Sequence, residues 1–120
     1  IIINSHKIYP VDVENIILEV SDIAECAISK ISYDAIEIIG CLYVGDNDFT
    51  KKFFTNLRLR LAPYEVPRFF INCKSLPKSL NGKLLRNEVN KILENSFNQN
   101  NLKSGLTEYK HNNNLILHEK

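Results

Sequence analysis

One lysine of this sequence lies where its side chain could take part in chemistry. Lys83 follows the dipeptide Asn81-Gly82, whose two residues tolerate a positive φ and are typical of turns. A helical pattern begins directly after it, so the turn presents an ammonium group outside the domain, where an anion could bind. The alternative hypothesis is an ordinary solvated lysine beside a helix start, and the turn alone favours that alternative.

The composition is that of a globular protein and argues against several classes of function. The 120 residues fit one domain, with 44% apolar and 24% charged residues. The net charge of +1 argues against a general polyanion binder, which would carry a basic excess. No apolar run approaches the roughly 18 residues of a membrane span, and no signal-peptide pattern opens the chain. We therefore expect a cytoplasmic protein that binds neither nucleic acid nor membrane.

The cysteine and histidine residues predict no metal centre. Cys26, Cys41 and Cys73 are far apart and form no Cys-x-x-Cys pair, and the three histidines have no ligand spacing with them. Each cysteine lies in an apolar, strand-like run. We therefore expect buried free thiols in a reducing compartment.

Hydrophobic periodicity predicts the elements that must position Lys83. Helical spacing recurs in three segments, and β-branched or continuous apolar runs lie between them. The predicted order is a hairpin over 1–9 with its turn at 4–7, a helix over 10–20, a strand over 23–31, a turn at 32–34, a strand over 36–44, a helix over 49–61 capped by Asp48, a strand over 68–73, and a last helix with Leu85, Val89, Ile92 and Leu93 on its apolar face. This order predicts an α+β fold, with a small N-terminal β-hairpin and a three-stranded sheet flanked by helices.

The composition changes from Asn95 onward. Residues 98–101 and 112–114 are asparagine and glutamine, and the segment has too little apolar surface to build a core. We therefore expect one domain over residues 1–95 and a poorly ordered, Asn-rich tail over 96–120. Within that tail, residues 115–117 are apolar and could dock on the domain or on a neighbour.

Two stretches resemble the C-terminal domain of the AMP-forming acyl-CoA synthetase and adenylating ligase superfamily. This superfamily includes the adenylation domains of nonribosomal peptide synthetases and the luciferases. The more specific resemblance lies in residues 61–68 (LAPYEVPR) and 76–86 (LPKSLNGKLLR), which flank a short predicted strand. Residues 5–14 (SHKIYPVDVE) are similar to the family pattern Gly-aromatic-Arg-Ile-x-Pro-x-Glu-Ile-Glu. Ser5 replaces the family glycine, so a positive φ is harder to adopt there, and Ser79 replaces the usual threonine.

The resemblance implies a two-step ligase reaction. A carboxylic acid attacks the α-phosphorus of ATP, and the acyl-adenylate then passes its acyl group to the thiol of CoA or of a carrier protein's phosphopantetheine. ATP and Mg²⁺ would be bound mainly by a large N-terminal adenylating domain, on which this small lid rotates between two poses. That domain and an acyl carrier protein are the expected partners. The isolated chain is expected to be inactive.

The resemblance also implies roles for individual residues. Lys83 is the expected catalytic residue, because one ammonium group can offset the repulsion between the substrate carboxylate and the α-phosphate. The residues expected to contact the thiol substrate are Ser5, His6 and Lys7. The residues expected to support the turn are Gly82 and Arg86, the latter through a carboxylate, with a substrate contact as the alternative for Arg86. Tyr64 is interpreted as a packing residue and Glu14 as a structural or hinge-side contact.

Two other functions fit parts of the sequence. The chain could be a stand-alone, non-catalytic protein-binding module of the same fold that completes or regulates a split enzyme. The absence of methionine and the large residue at position 1 instead predict a piece of a longer polypeptide. A small RNA-binding domain would need exposed aromatic residues on one sheet face. Phe69 and Phe70 are adjacent and point to opposite faces of a strand, which argues against that class.

Overall fold

The computed structural model describes the backbone of residues 1–111 and 115–116 and the side chains of residues 1–99. The helices are α1 (Pro10–Glu19), α2 (Lys51–Arg60) and α3 (Arg86–His111), with a short 3-10 turn over Pro63–Glu65. The strands are β1 (Ile2–Ile3), β2 (His6–Lys7), β3 (Glu25–Tyr33), β4 (Ile36–Val44), β5 (Phe69–Cys73) and β6 (Leu115–Ile116). The predicted α+β class is confirmed.

A hairpin and a larger sheet account for these strands. β1 and β2 pair with each other, and the larger sheet has the order β3-β4-β5-β6. β3 and β4 are antiparallel, whereas β5 runs parallel to β4 and β6 runs parallel to β5. The expected three-stranded core is therefore β3-β4-β5, and β6 adds a two-residue strand at the β5 edge.

Helices cover both faces of the larger sheet. On one face, residues of α1 and α2 such as Ile17 and Leu57 pack in a cluster that includes Phe70. On the other face, α3 contributes Val89 and Leu93 to a second cluster that includes Phe69. The adjacent phenylalanines thus lie in different cores, because successive side chains of a strand point to opposite faces.

Several element boundaries differ from the predictions. The return strand of the first hairpin is His6–Lys7 rather than residues 8–9, because Asn4 and Ser5 close a two-residue turn with φ of 48° and 71°. Helix α2 begins at Lys51, and its cap is Thr50, whose Oγ1 accepts a hydrogen bond from the N–H of Phe53 at 3.1 Å. The predicted cap at Asp48 is therefore wrong. The β3–β4 turn is also shifted, to residues 34–35.

Helix α3 passes the boundary expected at residue 95. Phe97 is buried and stacks on Phe69, with the ring centroids 5.1 Å apart. Val89 and Leu93 are buried as predicted, but Leu85 and Ile92 are 38% and 37% exposed, so the predicted apolar face is wrong for these two residues. The expectation of a poorly ordered tail falls in part on residues 112–114 and 117–120, which lie outside the described residues.

The three cysteines are free thiols, as predicted. Cys26 and Cys41 are buried, whereas Cys73 is only half-buried, so burial was overestimated for that residue. Among the described residues, no group of His, Cys, Asp or Glu side chains is arranged to hold a metal ion. In the same part of the chain, no helix has the length and apolar character needed to cross a bilayer.

Candidate functional site

A hydrogen-bonded turn carries Lys83. The N–H of Leu85 donates to the Pro77 carbonyl at 2.9 Å, and the N–H of Ser79 donates to the Lys83 carbonyl at 2.8 Å. The N–H of Gly82 donates to the Ser79 carbonyl at 2.9 Å, and Gly82 adopts φ of +84°, which glycine tolerates without strain. These bonds fix the backbone on both sides of the lysine.

The hydroxyl group of Ser79 adds two further bonds to the turn. Its Oγ accepts a hydrogen bond from the N–H of Lys83 at 3.1 Å and donates to Oδ1 of Asn81. A threonine would offer the same hydroxyl. The serine that stands in place of the family threonine therefore keeps the group that these two bonds require.

The Lys83 side chain is exposed and makes no salt bridge with any described residue. Three lysines are paired: Lys30 with Glu37 at 3.4 Å, Lys78 with Glu25 at 3.0 Å, and Lys91 with Glu88 at 3.7 Å. The other lysines with described side chains, like Lys83, make no salt bridge with a described residue, so its place on the turn is what distinguishes Lys83. An ammonium group without a local carboxylate keeps its charge available for an incoming anion. The geometry therefore suits Lys83 to a contact with a phosphate or carboxylate oxygen.

Arg86 joins the turn to a carboxylate. Its Nη1 and Nη2 donate to Oε2 and Oε1 of Glu14 at 2.9 and 3.0 Å, a bidentate arrangement. Oε2 of Glu14 also accepts a hydrogen bond from the N–H of Ile28 at 2.8 Å. The hydrogen bonds that Arg86 donates to Glu14 raise the pKa of Arg86 above its ordinary value, so the guanidinium remains charged.

The residues of the other motif lie on the β1–β2 hairpin. Ser5 takes φ of 71°, so this loop adopts the positive-φ conformation even without the family glycine. The exposed ring of His6 stacks on Tyr64, with centroids 4.0 Å apart and planes 9° from parallel. Nζ of Lys7 lies 5.6 Å from the centroid of the Tyr9 ring. Tyr64 therefore packs against the loop, and the ammonium of Lys7 stays near the surface.

Glu14 is the site residue whose importance sequence reasoning underestimated. It lies on α1 beside the buried Val13, and its own side chain is only 9% exposed. The sequence did offer a signal, because a glutamate at the edge of an apolar helix face needs a charged partner if it is buried. The partner, Arg86, is 72 residues away, and local spacing does not reveal it.

The fold and the lysine turn define a class of protein. Residues 12–83 match the family described as the AMP-binding enzyme C-terminal domain. This chain therefore belongs to the family of AMP-binding enzyme C-terminal domains, in agreement with the resemblance found in its motifs.

Two of the relatives are named as CoA ligases. The chain is 33% identical over 93 residues to the long-chain-fatty-acid–CoA ligase of Bacillus subtilis and 30% identical over 89 residues to the 2-succinylbenzoate–CoA ligase of Lactococcus lactis. These alignments cover 74% of this chain but only 17% and 20% of the relatives. A structure of O-succinylbenzoate coenzyme A synthetase from Bacillus subtilis, in complex with ATP and magnesium ion, is 29% identical with a TM-score of 0.64, over 73% of this chain and 18% of that one. The chain thus spans about a fifth of the length of these relatives.

Proposed function

We propose that this chain is the C-terminal lid domain of an AMP-forming ligase, which activates a carboxylic acid with ATP and transfers the acyl group to a thiol. The lid closes on a large N-terminal adenylating domain that makes most contacts with ATP. The family match and the CoA ligases among the relatives support this assignment. The relative whose structure holds ATP and magnesium supports the choice of nucleotide and metal. Since the described residues offer no cluster of metal ligands, we place the Mg²⁺ site on the N-terminal domain.

The observation that carries the proposal is the exposed ammonium group of Lys83 on its hydrogen-bonded turn. In the first half-reaction a carboxylate oxygen forms a bond to the α-phosphorus of ATP, and pyrophosphate leaves with the electron pair of the broken P–O bond. Both reactants are anionic, and negative charge accumulates on the phosphoryl oxygens. A preorganised cation at this point is worth about 3–4 kcal/mol of barrier.

The β1–β2 loop serves the second half-reaction in this proposal. Ser5, His6 and Lys7 face the thiol substrate in the second pose of the lid, and Lys7 provides a cation for its phosphate. CoA and the phosphopantetheine of a carrier protein present the same thiol arm and a phosphate. An acyl carrier protein is the partner if the second source is used.

The test uses an enzyme that contains this domain and its large N-terminal domain. Lys83→Ala should lower carboxylate-dependent exchange of pyrophosphate into ATP by about 10²- to 10³-fold, because the cation that offsets the repulsion is lost. Thiolysis of a supplied acyl-adenylate should change much less. An equal loss in both half-reactions would contradict the role assigned to Lys83.

Lys78→Ala is the matched control. Lys78 lies in the same turn, but its ammonium is paired with Glu25 at 3.0 Å on the surface. Its removal should leave pyrophosphate exchange within about twofold, because exposed pairs contribute little. The isolated 120-residue chain should catalyse neither half-reaction.

A further inference from the structure

Glu14 is a buried carboxylate that the proposed reaction does not use directly. Its two oxygens accept three hydrogen bonds, two from the guanidinium of Arg86 and one from the N–H of Ile28. The Glu14 side chain is 9% exposed, whereas that of Arg86 is 41% exposed. Burying a charge is unfavourable unless it is paired and hydrogen-bonded, and this arrangement meets both conditions. The carboxylate therefore holds Arg86 in one orientation.

Arg86 is the first residue of α3 and follows Lys83 by three positions. The main-chain bonds of the turn join the turn to itself, so they do not orient it against the sheet. Leu76 and Leu84 pack in the α3 cluster at the two ends of the turn, but apolar burial has no directional preference. A bidentate pair is directional, and it fixes the turn in orientation as well as in position.

Two other polar links reach the sheet. Asn90 of α3 donates two hydrogen bonds to β3, at 2.7 and 2.9 Å, but these bonds hold the helix rather than the turn against the sheet. The link from the turn itself is weaker. Nζ of Lys78 lies 3.0 Å from Oε2 of Glu25, and these side chains are 39% and 45% exposed. Exposed pairs of this kind contribute little, because water and salt screen them and two long side chains must be ordered. Among the polar contacts described here, the Glu14–Arg86 pair is therefore the contact best placed to orient the turn.

The same carboxylate connects the turn to the other motif. Glu14 lies on α1, which begins at Pro10, three residues after the end of β2 at Lys7. Through Ile28 it is also hydrogen-bonded to β3. One side chain thus joins α1, β3 and α3, and with them the loop that precedes α1 and the turn that precedes α3.

We propose that Glu14 is a positioning residue that acts through Arg86 on Lys83 and holds the lysine turn and the β1–β2 loop as one rigid unit. The inference rests on the proposed function of Lys83. The lid presents the lysine turn to the reaction centre in one pose and the β1–β2 loop in the other. Both segments must therefore keep a fixed position within the lid as it rotates. A misplacement of about 1 Å can reduce a rate by about 10²-fold.

The kinetic test combines two substitutions in the two-domain enzyme. Glu14→Gln keeps the size of the side chain but removes its charge and one acceptor oxygen. It should lower kcat of pyrophosphate exchange by about 10- to 100-fold and leave KM for ATP nearly unchanged, since the large domain binds the nucleotide. In the Lys83→Ala background the same substitution should cause no further loss, because its effect acts through the lysine. An equal loss in both backgrounds would overturn the proposal.

A second test measures the turn itself in the 120-residue chain. The amide hydrogens of Gly82, Lys83 and Leu85 are bonded within the turn. In Glu14→Gln they should exchange with solvent about tenfold faster or more, because the turn opens more often once its anchor is weakened. Glu25→Gln, which removes the exposed pair with Lys78, is the control and should leave them unchanged. Unchanged turn amides in Glu14→Gln would overturn the proposal.

A conservative variant covers the case in which Glu14→Gln does not fold. Arg86→Lys keeps the charge pair but replaces the rigid fork with a single ammonium group. It should give a smaller increase in exchange of the same amides and a smaller loss of kcat, and wild-type values in both measurements would overturn the proposal. If Lys83→Ala retained full activity, the proposed function would fail. The hydrogen-exchange result would still decide whether Glu14 orients the turn.

Discussion

Gly40 lies beneath the ring of Phe69 in the middle of β4. A Cβ atom at this position would lie 2.5 Å from Cζ and 2.8 Å from Cε1 of Phe69. The ring itself is fully buried and stacked against Phe97. It has neighbours on both sides and little room to move. Glycine is therefore required here by close packing, since the structure gives this residue no positive φ.

Gly40→Ala should lower the free energy of unfolding by about 1–3 kcal/mol, because an extra methyl group overpacks the core. Urea denaturation of the 120-residue chain measures the change. Phe69→Leu in the Gly40→Ala background should cost less than Phe69→Leu alone, since the smaller side chain makes room for the methyl group. An unchanged unfolding midpoint for Gly40→Ala would contradict the packing described for this residue.

At the scale of elements, the β3–β4 hairpin carries strain in its turn. Tyr33 pairs with Ile36, so the loop has two residues, Asp34 and Ala35, with φ of 49° and 69°. Two positive φ values are the mark of a type I′ turn, whose twist suits a two-residue hairpin. The backbone crowds the Cβ of both residues, but aspartate tolerates this conformation better than alanine because its short polar side chain can hydrogen-bond locally. The strain is therefore concentrated at Ala35.

Ala35→Gly should raise the free energy of unfolding by about 0.5–1 kcal/mol. The glycine removes strain of about 1–2 kcal/mol, and the greater freedom of the unfolded chain cancels part of the gain. Thermal denaturation checks the direction. Ala35→Val is the control substitution with the opposite expected effect. It should lower the melting temperature, because a β-branched side chain is least compatible with a positive φ. Destabilisation by glycine would show that the turn is not strained.

At the scale of the whole molecule, the core contains thiols that resist ionisation. Burial raises the pKa of Cys41 well above the ordinary value of 9.0, and burial also raises the pKa of Cys73. The unfolded chain releases these protons at a lower pH than the folded one. Stability is therefore fully present below about pH 9 and decreases as the pH rises above it, because the folded state then binds more protons.

The urea concentration at the unfolding midpoint should therefore be lower at about pH 10 than at about pH 8, with Cys41 contributing at most about 1.4 kcal/mol per pH unit once the pH exceeds about 9. Cys41→Ala should be less stable at neutral pH, since it leaves a cavity, but its stability should depend less on pH in this window. A midpoint that does not change in this range, or a Cys41→Ala variant with the same slope as the wild type, would contradict the assignment.

Much of the fold is predictable from local sequence. β4 occupies the residues predicted for it, and the apolar stripe predicted for the second helix is buried, with Phe53, Phe54 and Leu57 in α2 and Leu61 at its C-cap. Boundaries that depend on a few turn residues were less predictable. The first hairpin is an example, because its register depends on two positive-φ residues that are not glycine.

The sequence by itself determined the α+β class, the order of the main elements, and the place of Lys83 on a glycine turn before the last helix. These features depend on periodicity and on turn chemistry, which act over a few residues. The tertiary structure alone decided that Gly40 must accommodate Phe69, that Phe97 completes the second core, and that Arg86 finds its carboxylate in Glu14. Each of these contacts joins residues far apart in the chain, and only the packing of the sheet between its helices brings them together.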